Sequence, residues 1–402
     1  MKIQMKHPFA VAFAGALVLI TQTASAQTWQ TVDDYQYVAG QGTFNAGLTV
    51  APSGVIFGSG YGYDASGGSH GLVMGSADGG NTWSAPLDDF TGGPGDNGAD
   101  YAATTSDPSG NVYAVGEYYD NAGLLPNHWL VRRSTDGGIT WSTTDDYQDG
   151  GWTTRPFAVA SDSAGNIYVA GYSDSGTTEN WIVRKGNGGN NFTTVDSGSA
   201  SGTRAALAVF VHPTAGIFVA GNGPIATSTD KRGRVTTTYG WLVRRSTDGG
   251  ATWSTVDTLS GADTAASGIG ADAVGNIYAV GTQSVTSGTG KHATTSDHWL
   301  VRKSPNGGSS WTTVDNYQLS AGASSWATSF AADSYGNLFV AGYSGGTWIV
   351  RENPGGTGTW RTVDSGTNAY PASITADRLG HVFVGGTGND SSGIGHWLVR
   401  RQ

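Results

Sequence analysis

Six near-copies of one tetrapeptide, Trp-(Leu/Ile)-Val-Arg, return along the chain at Trp129, Trp181, Trp241, Trp299, Trp348 and Trp397, with a weaker seventh at Gly71-Leu-Val-Met. A fixed return of this kind constrains the fold more than any composition does, because each copy must be one supersecondary unit stacked on its neighbours. In the fullest copy, Trp129 to Gln148, an apolar β-prone stretch leads into a Ser/Asp/Gly turn and then a Thr/Trp-rich stretch. That pattern predicts two antiparallel strands, C and D, joined by a glycine-dependent hairpin.

Upstream of each copy lies a second recurring piece, typified by SDSAGNIYVAG at Ser161 to Gly171. It recurs at 106–116, 271–281 and 332–342, and more loosely at 51–58, 212–221 and 376–386. Asp107-Pro108-Ser109-Gly110 suits a type I turn closed by a left-handed glycine, which makes this piece a hairpin too, of strands A and B. Each repeat is then a four-stranded meander of roughly 45 to 60 residues, the size of a propeller blade.

The seventh repeat reaches Arg401-Gln402 just after its strand C, without a strand D. The stretch from Gln27 to Gln36, QTWQTVDDYQ, matches the strand D texts at 140–148 and 311–318. Pairing these two segments would close a ring and leave no sheet edge open at the seam. The expectation is an all-β, seven-bladed propeller of four-stranded antiparallel blades, one domain over residues 27–402.

Residues 1–26 carry Lys2 and Lys6, an apolar run from Phe9 to Ile20 and the small-residue site Ala24-Ser25-Ala26. That layout is expected for a secretory leader cleaved after Ala26, giving a secreted or periplasmic protein, and the run is too short for a membrane anchor. The formal charge is −10, and the leader supplies two of the cations, so the chain beyond Ala26 is more acidic still. An acidic surface without basic clusters argues against nucleic acid or anionic lipid as partner. Cysteine is absent, so burial and hydrogen bonding alone must hold the fold.

The C–D turns read Ser76-Ala-Asp78-Gly-Gly-Asn-Thr-Trp83, Ser134-Thr-Asp136-Gly-Gly-Ile-Thr-Trp141 and Ser246-Thr-Asp248-Gly-Gly-Ala-Thr-Trp253, with Asn306 in place of Asp in a fourth. This pattern resembles the Asp-box, or BNR, repeat of secreted bacterial propellers such as sialidases and xyloglucan hydrolases. The resemblance implies a fold element away from the active face. Residue chemistry agrees: the carboxylates of Asp78, Asp136 and Asp248 can accept N–H bonds across their own turns, and the glycines can take positive φ. Sialidase chemistry does not carry over. No Arg-Ile-Pro motif is present, Thr154-Arg155-Pro156-Phe157 being a poor echo, and a three-arginine clamp with its Tyr/Glu pair cannot be placed. No phosphate-cradling loop, nucleophile elbow or zinc motif is present, and no cofactor or metal is expected.

A residue present in most blades serves the blade, which places the repeated strand C arginines among the structural residues. Likewise His70, His128, His298 and His396, each just before strand C, read as capping or packing groups and not as a metal ring. Informative residues are those that break the repeat on the rim carrying the variable B–C and D–A connections. Aligned on the A–B turn, strand A begins with Phe44, Asp100, Arg155, Ala205, Ala265, Trp326 and Tyr370. Strand B ends with Ser59, Glu117, Tyr172, Asn222, Thr282, Tyr343 and Thr387. Asp100 and Glu117 fall on paired strands of one blade, and two neighbouring carboxylates are the minimum for acid/base glycoside hydrolysis. The plainer reading is a structural acid paired with Arg155. Trp152, Tyr118, Tyr119, Trp326, Tyr343 and Tyr370 add rings suited to stacking on sugars. The expected function is binding of extracellular glycan at this rim, and, if the protein is an enzyme, its hydrolysis or lyase cleavage there. The rival is a non-catalytic recognition or scaffold module for a protein or cell-envelope partner.

Overall fold

A computed structural model describes residues 28–93, 98–119, 127–199, 204–261, 263–288 and 292–402. The expected leader, residues 1–26, lies outside the described residues. Within them are seven four-stranded antiparallel sheets, each a meander in chain order except the last. Blade 2 is typical: Ala99–Ser106, Val112–Tyr119, Asn127–Ser134 and Ser142–Tyr147. Blade 7 takes Ala369–Ala376, Val382–Asn389 and Gly395–Arg401 from the end of the chain, and its fourth strand is Gln30–Tyr35. The seam runs from Gln30 against Arg401 to Tyr35 against Trp397. The chain is a seven-bladed β-propeller.

The repeated tryptophan explains why the blades stack. Trp129, Trp241, Trp299, Trp348 and Trp397 are fully buried, each against the strand B of the following blade. A Cβ on Gly171 would stand 2.6 Å from the ring of Trp129, so the glycine of the strand B text is a packing requirement. Where blade 1 has Gly71 in place of tryptophan, Tyr101 of blade 2 fills the room and donates its hydroxyl to Asp88 at 2.6 Å. The repeated arginine ties blades together as well: its guanidinium reaches back to the strand D aspartate of the preceding blade, as Arg302 does to Asp257 at 2.7 Å.

Two details depart from the plain repeat. The variable B–C connections include 222–240 and 283–298, which are largely paired strand. Strands Gly216–Thr229 and Val235–Ser246 stay paired out to Thr229 against Val235, and Ile277–Ser287 pairs with Thr294–Ser304 out to Ser287 against Thr294, so blades 4 and 5 raise projecting hairpins above the rim. The alternation of Thr and other β-prone residues through both stretches is the physical reason. Secondly, Ser59 does not end its strand as aligned. Phe44 pairs with Tyr61, seven residues beyond the turn glycine Gly54 as Glu117 is beyond Gly110; a bulge between Asn45 and Gly47 slips the register below them, and Ser59 is buried farther down the strand. No helix among the described residues is long and apolar enough to cross a membrane.

Candidate functional site

The same slip recurs near the start of strand A in all seven blades, and it places the rim residues in seven direct rungs: Phe44/Tyr61, Asp100/Glu117, Arg155/Tyr172, Ala205/Asn222, Ala265/Thr282, Trp326/Tyr343 and Tyr370/Thr387. Directly opposed residues share a face with Cβ atoms about 5 Å apart. Asp100 and Glu117 therefore lie side by side. One hydroxyl joins them: Tyr119 donates to Asp100 Oδ2 at 2.8 Å and lies 3.4 Å from Glu117 Oε1. Arg155 Nε of the next blade stands 3.0 Å from Glu117 Oε1, and Asn127 Nδ2 donates to Glu117 Oε2 at 2.7 Å.

The two acids differ in what surrounds them. Glu117 is only 2% exposed, with both oxygens engaged. Burial pushes its carboxyl above the usual range, while the charge of Arg155 and the Asn127 bond pull it back. Asp100 is pushed up by burial too, against hydrogen bonds from Tyr119 and Ser69 and the charge of Arg155, and its Oδ1 is buried without a partner. Both carboxyls are thus held above their ordinary range, Glu117 with both oxygens engaged and Asp100 with one oxygen free of partners.

A layer of phenols closes around the pair. Burial pushes the Tyr61 hydroxyl up to about 12, with the charge of Asp100 adding to it, and the ring stacks on Phe44 at 4.7 Å. Tyr63 is raised by burial and by Asp100, and Tyr172 stacks on Phe157 at 5.5 Å. Across the ring, blades 6 and 7 present rings without charges: Trp326 and Tyr343 lie 4.7 Å apart, and Tyr370 meets Tyr343 edge-on at 5.7 Å. Between the two groups, blades 4 and 5 place only Ala205 and Ala265 at the strand A rungs.

Tyr118 is not part of this cluster. It stacks on His128 and donates to Asp146 at 2.9 Å, on the opposite face of the strand from Tyr119. Trp152 stands half-exposed in the turn before Arg155. The four histidines expected just before strand C lie within it and meet strand D and not one another: His70 pairs with Asp89, His128 with Asp146, His396 with Asp34, and His298 with Asn316. Asp78, Asp136 and Asp248 accept bonds across their own turns, first from the hydroxyls of Thr82, Thr140 and Thr252, and these hold each carboxyl down at about 2. No group of His and acidic residues among those described could hold a metal ion. Tyr61 was missed because blade 1 has glycines at both 58 and 60 and its strand B was aligned on the first; counting seven residues from the turn glycine Gly54, as from Gly110 to Glu117, would have found it.

A cavity of about 590 Å³ opens on the opposite face, between A–B turns that include Pro52, Asp107, Asp333 and Asp377. Its aspartates are already spent on their own turns, as where Asp107 Oδ1 accepts the N–H groups of Ser109 and Asn111.

Residues 150–176, which span the A–B hairpin of blade 3, match the family described as SBBP: Beta-propeller repeat. Among solved structures, the α-L-arabinofuranosidase Arb93A of Fusarium graminearum, in complex with an iminosugar inhibitor, aligns with a TM-score of 0.57 at 12% identity, over 93% of this chain and 98% of that one. The polysaccharide lyase Uly1 aligns at 0.52 and 10% identity, over 90% of each chain. YCF48 bound to a D1 peptide aligns at 0.51 and 11%, over 94% of this chain and 97% of that one. The likeness is one of fold. No curated protein matches the chain.

Proposed function

We propose that this propeller binds extracellular glycan across the rim of the variable connections, with a hydrolytic site at Asp100 and Glu117. The observation that carries this reading is the pair itself: two carboxyls bridged by Tyr119 and flanked by Arg155, on the same rim as the Trp326, Tyr343 and Tyr370 rings, with the small rungs Ala205/Asn222 and Ala265/Thr282 between them. The aromatic arc would stack on pyranose or furanose faces, and Trp152 and Tyr370 offer exposed rings at its margins. Asp100 would give its proton to the departing glycosidic oxygen. Glu117 would attack the anomeric carbon as that C–O bond breaks, and a water, giving its proton back to Asp100, would then release the sugar from Glu117. Fold neighbours that include an arabinofuranosidase and a polysaccharide lyase support a carbohydrate as ligand. Export rests on the leader-like residues 1–26.

One observation favours the rival, a recognition module for a protein or cell-envelope partner: Glu117 is satisfied within the fold by Arg155 and Asn127. A glycan array combined with reducing-sugar release, and with absorbance of unsaturated products, separates the two. The hydrolytic reading expects release to fall at least ~100-fold in Asp100→Asn and Glu117→Gln, with binding retained, and binding to weaken in Trp326→Ala. Binding without release, unchanged in either acid variant, removes the enzyme. Absence of any glycan binding removes the carbohydrate reading altogether.

A further inference from the structure

The residue immediately before the strand A rung is small in six blades: Thr43, Ala99, Thr154, Thr264, Ser325 and Ala369, all buried. Thr154 shows what the slot does. Its hydroxyl takes the N–H of Trp129 at 2.9 Å and donates to the carbonyl of Tyr147 at 2.9 Å, fastening strands C and D of the preceding blade. In blade 4 the slot holds Arg204, the largest cation, which is 8% exposed.

Room for it comes from a second break in the repeat. Opposite the strand C tryptophan, strand D carries Tyr147 in blade 2 and Tyr317 in blade 5, and the arginine of the following blade lies over that ring, Arg184 at 3.9 Å and Arg351 at 4.0 Å. In blade 3 the residue opposite Trp181 is Gly198. A Cβ on Gly198 would stand 3.0 Å from Arg204 Nη1, so the guanidinium occupies the space of the missing ring. It does not fill it. A cavity of about 90 Å³ remains between blades 3 and 4, bounded by Trp181, Ser197, Arg204, Asn222, Leu242 and Arg244 among others.

The charges there do not balance. Asp196, the carboxylate on the wall, is saturated by Arg244 at 2.8 and 2.9 Å and by the indole N–H of Trp181 at 3.0 Å. Arg204 Nε is buried without a hydrogen-bond partner, and no carboxylate among the described residues pairs with its side chain; Glu179 accepts only its backbone N–H, at 3.0 Å. Residues 199–203, Ser-Ala-Ser-Gly-Thr, contain no acid. Two guanidiniums and one carboxylate leave the wall with one uncompensated positive charge. An arginine does not escape burial by losing its proton, so an unpaired one is costly until an anion meets it.

We infer that the cavity between blades 3 and 4 is a binding site for a small anionic group, a carboxylate or a sulfate, received by the Arg204 guanidinium. The volume admits a group of that size, and the guanidinium would receive a carbohydrate by its acidic substituent. The site is separate from the rim pair and stands whether or not Asp100 and Glu117 cleave anything.

The test is thermal melting and calorimetric titration at constant ionic strength, with sulfate, glucuronate and glucose as probes. In wild type, sulfate and glucuronate should raise Tm by about 1–3 °C and glucose should not. Arg204→Thr, which installs the residue found in three other blades, and Arg204→Met, which keeps the volume without the charge, should both lose that shift. Without added anion both variants should melt above wild type, because an uncompensated buried charge has been removed. Tighter binding of glucuronate than of sulfate assigns the anion to a sugar; the reverse assigns a free inorganic anion. Shifts of equal size in wild type and both variants, or no shift in wild type, overturn the proposal. Arg155→Ala should leave the anion shift intact, so failure of the rim reading and failure of this one remain distinguishable.

Discussion

Six of the seven blade boundaries are stitched alike, and the seventh is not. Arg132 reaches Asp88, Arg184 reaches Asp145, Arg244 reaches Asp196, Arg302 reaches Asp257, Arg351 reaches Asp315 and Arg400 reaches Asp364, each through Nε and Nη2 to both carboxylate oxygens. Where blade 7 meets blade 1, the arginine position is Met74, buried with Trp397, Phe383 and Val399. The aspartate on the other side is still present as Asp33, and its Oδ2 is buried without a partner. Burial, then the neighbouring charge of Asp34, lift its carboxyl to about 7 against a weaker backbone hydrogen bond. The boundary that closes the ring is therefore the one without an arginine–aspartate pair: apolar contacts and hydrogen bonds from Arg401 Nη1 to the Gly79 carbonyl at 2.6 Å and Asn81 Oδ1 at 3.0 Å cross it, and it carries a carboxylate that is costly when ionised.

Changes at the two kinds of boundary should differ in size and in sign. The largest effect is expected at the seam. Deleting residues 28–35 removes the fourth strand of blade 7 and bares the edge of Gly395–Arg401, and the protein should lose its cooperative melt and aggregate, as followed by circular dichroism and light scattering. Arg302→Ala leaves Asp257 buried and unpaired, and urea unfolding should show a loss of about 3–5 kcal/mol.

At the odd boundary the sign reverses. Because the folded state raises Asp33 above its unfolded value near 3.8, folding favours the protonated form; that contribution is complete below pH 4 and is lost as pH climbs to about 7. Asp33→Asn should accordingly equal wild type at pH 4 and exceed it at pH 8 by about 1–2 kcal/mol, after allowance for solvent screening. A difference between the two that does not change with pH would show Asp33 to be solvated. The control is Arg234→Ala: Arg234 and Asp230 sit 3.8 Å apart on the exposed hairpin of blade 4, and the change should be within about 0.5 kcal/mol.

Much of this could be read along the chain because it depends on near neighbours. Blade count, strand order and the completion of blade 7 by the first described strand all follow from recurring local texts, and the Asp78, Asp136 and Asp248 turns are bonded within four residues of themselves. Asp100 and Glu117 were legible as a pair since both lie a fixed count from one A–B turn, and Arg155 as their neighbour since the next blade repeats that count. Tyr61 was not, because strand B of blade 1 carries glycines at 58, 60 and 62, and the text does not mark which of them stands where the other blades have theirs. Tyr118 and Tyr119 show a related limit. Adjacent on one strand, they point to opposite faces, and only the packed neighbours reveal which one meets the acids.

Periodic hydrophobicity and turn chemistry, being local, were enough to specify a ring of seven sheets closed on itself. Which boundary lacks its ion pair, which phenol bridges the two acids and which arginine stands without a counter-charge were settled by tertiary packing. Those outcomes depend on contacts between blades, where partners stand 36 to 48 residues apart and a single Met74, Gly198 or Arg204 gains its meaning from what faces it.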